Sequence, residues 1–244
     1  MLKINNVWKS YKDNTVLRGV NLKINKGEIK GLIGVNGAGK STLIELVCGV
    51  KQIDEGQIFI DDISVNSKNK KLKYMFGYMP QIFCLFNDLT VEENLGYLCA
   101  VYGLDEKKEI ERILSLCNLA SMRNKLASNL SGGYKQLLSL ASCLMHSPKL
   151  LILDEPTSAM DPIFRKNFWK IIKEYKKMGG TVFVITHFME ELLECDNFAC
   201  LSKGKVVFEK DSSGLKSLND LDIEKILIKY EKDKAWKKQN NFLS

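Results

Sequence analysis

With 244 residues, 45% hydrophobic and 27% charged, the chain has the composition of a soluble globular protein large enough for one α/β domain. No apolar run approaches the roughly 18 residues of a membrane-crossing helix, and the opening "MLKINNVWKSYKDN" lacks the apolar stretch of a secretory leader, so a cytoplasmic chain is expected. The net charge of +7 includes only four Arg (Arg18, Arg112, Arg123, Arg165) among 36 basic residues, whereas a reader of nucleic acid would use Arg forks; a solvated Lys-rich surface and no nucleic-acid partner are expected.

In chain order, β-rich segments come first: "KINNVWKSY", "NLKI" and "EIKGLIGV". The last runs into "GVNGAGKST" (34–42), which opens an apolar helix, "STLIELVCGV". Strand-like "QIFI" (57–60) and "YMFGYM" (74–79) follow, and residues 90–146 then read as helices throughout. "TVEENLGYLCAVYG" opens on a capping box, Thr90 with Glu93. "EKKEIERILSLCNL" sets apolar residues at 110, 113, 114 and 117 on one helical face. The α/β pattern returns with strand "LLILD" (150–154) and helix "PIFRKNFWKIIKEYKKM", with Asp161 as N-cap and Pro162 at its first position. Strand "TVFVIT" (181–186) and helix "FMEELLE" come next. Strands alternating with helices imply a parallel sheet, with the helical block inserted in it. The apolar stripe of "LDIEKILIKYEK" (221–232) predicts a last helix, and "KDKAWKKQNNFLS" reads as a frayed basic tail. Seven scattered cysteines without a CxxC pair suggest a reducing compartment, with neither a disulfide framework nor a zinc site.

"GVNGAGKST" fits G-x-x-x-x-G-K-[ST] between a predicted strand and a predicted helix, the context that a phosphate loop requires. Backbone amides of residues 37–42, freed of side-chain bulk by Gly37 and Gly39, suit phosphate oxygens. Lys40 supplies a point charge for the β- and γ-phosphates, and Ser41 a hydroxyl for Mg²⁺. Asn36, Gly37, Ala38, Gly39, Lys40, Ser41 and Thr42 are therefore the candidate nucleoside-triphosphate contacts. "LLILDEP" ends a buried strand on two carboxylates, where Asp154 suits the metal and Glu155 suits a general base for an attacking water. A second helix start, "NLSGGYKQ" from residue 129, has the glycine pair of another close backbone approach.

With these motifs, and with "LSGGYKQ" (130–136) similar to the family's signature, the chain resembles the nucleotide-binding subunits of ABC transporters over nearly its whole length. The resemblance implies an α/β fold: a P-loop NTPase core with a parallel sheet (1–89 and 147–210), an N-terminal antiparallel β subdomain and an inserted α-helical subdomain (90–146). A C-terminal helix at 214–232 completes the ATPase domain (1–232), leaving a tail at 233–244. It also implies head-to-tail pairing with a second ATPase subunit, most simply a homodimer, in which Ser131, Gly132 and Gly133 of one chain clasp the γ-phosphate held by the other. Tyr11 is implied to stack on adenine, with Trp8 the alternative. The resemblance likewise implies that Gln81 contacts Mg²⁺ and the water, that Asp161 communicates across the dimer, and that His187 contacts the γ-phosphate. Glu155, His187 and Gln81 are thus the catalytic candidates, and Ser41, Gln81 and Asp154 the metal candidates. Two residues depart from the family pattern: Tyr134, where Gln is frequent, and Met160, where Leu is. ATP and Mg²⁺ are the implied cofactors. A separate polytopic permease is the implied partner, which puts the chain at the cytoplasmic face of the membrane, and the pattern is most like the bacterial drug, peptide and polymer exporters. A soluble ABC ATPase, such as the iron–sulfur cluster assembly type, is the alternative.

Overall fold

In the computed structural model, which describes residues 1–65, 71–158 and 160–211, apolar alternation at the N-terminus becomes a long hairpin, β1 (Leu2–Tyr11) and β2 (Asn14–Ile24). Leu2, Ile4 and Val7 on β1 and Leu17, Val20, Leu22 and Ile24 on β2 are buried, so one face of the pair is core and the other faces solvent. β2 is longer than the anticipated "NLKI" because its outward residues, Arg18, Asn21 and Lys23 among them, mask the strand. After β3 (Ile29–Ile33) and α1 (Lys40–Val47), β4 (Glu55–Ile60) and β5 (Ile63–Ser64) complete an antiparallel sheet of order β2-β1-β4-β5. The described residues divide into two compact units, one drawn from Met1–Asn69 and Ile185–Ser244, the other from Lys70–Val184.

The second unit begins with α2 (Leu72–Met75) and β6 (Phe76–Met79), so Tyr74 and Met75 of the anticipated strand are helical. The helical block is α3 (Val91–Tyr102), α4 (Glu106–Leu116), two 3₁₀ turns (Ala120–Met122 and Ala127–Asn129) and α5 (Gly132–Leu144). α3 carries the full Thr90–Glu93 capping box, and α4 buries Ile110, Ile113 and Leu114. Arg123 binds Glu92 on α3 and Glu111 on α4, while Arg112 donates to the carbonyls of Leu144 and Met145 and holds the carboxyl end of α5. β7 (Leu150–Asp154), α6 (Pro162–Lys177) and β8 (Thr181–Ile185) follow. The order is β8-β7-β6, with β6 and β7 parallel. Leu150–Leu153 and all of β8 are buried, as parallel strands covered on both faces must be. α5 presses closely on β6, since a Cβ at Gly77 would lie 2.3 Å from the Cys143 carbonyl oxygen.

The chain returns to the first unit through α7 (Met189–Leu192), β9 (Asn197–Ser202) and β10 (Lys205–Asp211). β9 is parallel to β3 and β10 antiparallel to β9. Ile33, Leu192, Phe198 and Cys200 form a core there, with Val207 and Phe208 packed against it. Neither β9 nor β10 is anticipated by the sequence reading: β10 is an edge strand whose Lys205, Glu209, Lys210 and Asp211 read as surface. The expected helix at 214–232 and the basic tail lie outside the described residues.

Candidate functional site

In the first unit, β3 delivers the chain into the phosphate loop through Gly34, where a Cβ would lie 2.3 Å from the Leu201 carbonyl oxygen. Gly37 and Gly39 take φ of 81° and 107°, values that side chains other than hydrogen strain to reach. Nothing within 4 Å would obstruct a Cβ at Gly37, whereas Gly39 lies against Leu17 and Val16. Asn36, Gly37 and Ser41 are exposed, Thr42 is half-buried, and Ala38 and Lys40 are buried. The Lys40 ammonium donates to the carbonyls of Gly34 (2.6 Å) and Val35 (3.1 Å), which holds its charge inside the loop. The first amides of α1 lack intrahelical acceptors, and Gly39, its N-cap, has no side chain with which to cap them. The loop thus gathers a held ammonium and uncapped amides, groups suited to an anion.

A residue outside the motif supports this loop. The Gly204 amide donates to the Ala38 carbonyl (3.1 Å), and its own carbonyl accepts from the Arg18 amide (2.8 Å). Gly204 has φ 76°, and a Cβ there would lie 2.1 Å from the Val16 carbonyl oxygen. Its only sequence signal is a Lys-Gly turn between two β-prone runs. Gly204→Ala should cost about 1–3 kcal/mol of stability by forcing backbone apart and should weaken nucleotide binding; urea unfolding and ATP titration of the variant check both.

Tyr11, at the end of β1, has the ammonium groups of Lys51 and Lys9 5.0 and 5.5 Å from its ring centroid. The Trp8 indole instead donates to Asn6 Oδ1 (3.2 Å). His187 is exposed and tilted on Phe188, with ring centroids 4.1 Å apart. It follows Thr186, whose amide donates to the Leu32 carbonyl (3.2 Å) two residues before Gly34, so His187 belongs to the phosphate-loop end of this unit.

In the second unit, Asp154 is the last residue of β7 and Glu155 turns sharply away at φ 49°, a left-handed conformation that is uncommon for a residue with a Cβ. Gln81, just beyond β6, donates from Nε2 to Glu155 Oε2 at 2.9 Å. Parallel pairing of β6 with β7 brings these two side chains together, 74 residues apart in sequence.

Ser131 is the N-cap of α5 in extended conformation, yet its hydroxyl makes no capping bond to its own helix. Ser131 and Gly132 are exposed and Gly133 is buried. Asp161 caps α6, accepting from the amides of Ile163 (2.9 Å) and Phe164 (3.1 Å). Between β6, α3 and α5 lies a cavity of about 330 Å³ lined by Phe76, Tyr78, Leu98, Tyr102, Cys143 and His146. Tyr102 stacks on His146 at 4.2 Å, and Phe86 meets Tyr97 edge-on at 4.7 Å while both remain exposed. Phe83 is exposed and Leu85 half-buried.

Comparison with known proteins bears on these features. The ABC transporter family model matches residues 17–158. The chain is 39% identical over 217 residues to the probable multidrug ABC transporter ATP-binding protein YbhF of Escherichia coli, covering 87% of this chain and 38% of that protein. It is 34% identical over 211 residues to the linearmycin resistance ATP-binding protein LnrL of Bacillus subtilis, covering 85% of this chain and 68% of that one. The chain thus spans well under half the length of the first relative. Among solved structures, a dimeric post-hydrolysis state of the ATP-binding cassette MJ0796 bound to ADP and Pi matches with TM-score 0.78 and 28% identity, over 87% of this chain and 99% of that chain. The cbiO1 cassette of Clostridium perfringens, part of the ABC transporter complex cbiONQ, matches with TM-score 0.83 and 26% identity, over 97% and 98%.

Proposed function

This chain belongs to the ABC transporter family as a nucleotide-binding cassette, and on that premise we propose that it is the ATP-hydrolysing subunit of an exporter, pairing head to tail with a second such subunit. The observation that carries this reading is the presence of two anion-seeking helix starts in one chain: α1 behind the phosphate loop, and α5 behind a serine that does not cap its own helix. One ATP engages one of each, from different chains. Amides of residues 37–42 hold the phosphates and Lys40 places its charge between the β- and γ-oxygens. Ser41, Asp154 and Gln81 offer a hydroxyl, a carboxylate and an amide oxygen, the hard donors Mg²⁺ prefers. When bound, the ion neutralises charge on the phosphate oxygens. Tyr11 stacks on adenine in place of the lysine ammonium groups.

Glu155 orients the attacking water and takes up its proton. Gln81 donates to that carboxylate. With Mg²⁺ held by Ser41, Asp154 and Gln81, a Gln81 amide turned toward the ion would no longer donate to Glu155, which would tie the base to an occupied site. His187 contacts the γ-phosphate, and Ser131, Gly132 and Gly133 of the second chain clasp it from the other side, with Asp161 relaying between the two sites. The cavity and the exposed aromatics Phe83, Phe86 and Tyr97 supply an apolar seat for a cytoplasmic helix of a membrane permease, placing the chain at the inner face of the membrane. A relative that supports export as the direction is by name a Nod factor export ATP-binding protein of Sinorhizobium fredii, 36% identical over 212 residues, while a methionine import ATP-binding protein of Clostridioides difficile, 34% identical over 235 residues, shares the same pattern.

The test is affinity capture of tagged Glu155→Gln protein, with ATP, from detergent-solubilised membranes of the native host. Recovery of a polytopic membrane protein is the expected result. Recovery of soluble proteins alone would move the chain to the ABC ATPases that work without a membrane partner.

A further inference from the structure

We propose that Phe164 is a positioning residue: its ring locks the Ser131–Gly133 turn to the Asp161-capped start of α6, and so sets how firmly this chain can clasp a γ-phosphate carried by a second copy. The inference rests on the head-to-tail reading above. It starts from a contact that neither motif predicts. A Cβ at Gly133 would lie 2.5 Å from Cγ of Phe164 and under 3 Å from both its Cδ atoms (2.6 and 2.9 Å), so the ring lies flat against the glycine. The ring also meets Tyr134 edge-on, with centroids 5.0 Å apart and planes at 79°, a favourable aromatic arrangement. The Phe164 amide donates to Asp161 Oδ1 at 3.1 Å, so the residue that carries the ring is held by the N-cap aspartate itself.

These contacts matter because of what α5 lacks. A serine at an N-cap ordinarily fixes its helix start by accepting an amide hydrogen bond, and Ser131 does not. The first turn of α5 is therefore held from outside, by a ring on Gly133 and by the Tyr134 pair. Gly133 must be glycine for Phe164 to reach it. Tyr134, a departure from the family pattern, has a partner in Phe164 that a flexible amide side chain would not match. A shift of α6 at Asp161 is carried by Phe164 to the signature turn, and the reverse. The two segments assigned to the partner's nucleotide thus move as one piece.

Phe164→Ala should leave ATP binding by the separate chain unchanged, because the phosphate loop is untouched, while ATP-driven dimerisation weakens about tenfold, the upper worth of one aromatic pair. Sedimentation velocity on the Glu155→Gln background reads the second quantity and ATP titration of dilute protein the first. In the wild-type background KM for ATP should rise while kcat at saturation is retained, and Phe164→Tyr should restore both measurements. An unchanged dimer, or a parallel loss of ATP binding by the separate chain, would overturn the inference. Thermal unfolding checks the contact itself. Gly133→Ala should lower Tm, and adding Phe164→Ala should recover part of that loss; purely additive losses would overturn it. If the parent forms no ATP-dependent dimer while binding ATP, the head-to-tail reading falls and this inference with it.

Discussion

Glu155→Gln will slow ATP hydrolysis by about 10²–10⁴-fold, the usual worth of a general base, and will leave ATP binding intact. Glutamine has the shape of glutamate and keeps an oxygen able to accept the 2.9 Å bond from Gln81, so the turn at φ 49° has no reason to relax. What it loses is the capacity to take a proton from water. Single-turnover hydrolysis and equilibrium ATP binding, measured on the same preparation, separate the two effects. Hydrolysis at the wild-type rate would assign the base elsewhere and reduce Glu155 to a partner of Gln81.

Lys40→Met has the other large effect, and on a different quantity. Its ammonium is the one side-chain charge that the motif places among the phosphates, and a hydrogen bond to a charged group is worth about 1.5–3 kcal/mol. ATP affinity should therefore fall about 10- to 150-fold. The substitution also strips a donor from the carbonyls of Gly34 and Val35, so some stability is lost without nucleotide. Comparing Tm with and without ATP isolates the binding term: the ligand-dependent increment should shrink in the variant, and an undiminished increment would remove Lys40 from the site.

Much of the architecture was legible because its signals are local. The Thr90–Glu93 box, the Asp161 cap with Pro162 behind it and the apolar face of α4, Ile110, Ile113 and Leu114 with Cys117 at its C-cap, each depend on neighbours a few residues away, and each is present. β9 and β10 were not legible, since a β10 with four of its seven residues charged is recognisable as a strand only beside β9. The phosphate loop could be read from spacing, but its support by Gly204 could not, because Ala38 and Gly204 meet only through the fold. The same holds for Phe164 on Gly133 and for Gln81 on Glu155: the motifs name one residue of each contact or both, and only tertiary structure joins them.

The central claim, that each ATP is shared by the phosphate loop of one chain and the Ser131–Gly133 turn of another, is tested most directly by mixing two inactive variants. Lys40→Met spoils the loop and spares the turn; Ser131→Arg spoils the turn and spares the loop. Each alone should fail to hydrolyse ATP. In a mixed dimer the sound loop of one chain faces the sound turn of the other, so the mixture should regain activity while neither component has any. A mixture as inactive as its components, under conditions where the wild type hydrolyses ATP, would contradict the account.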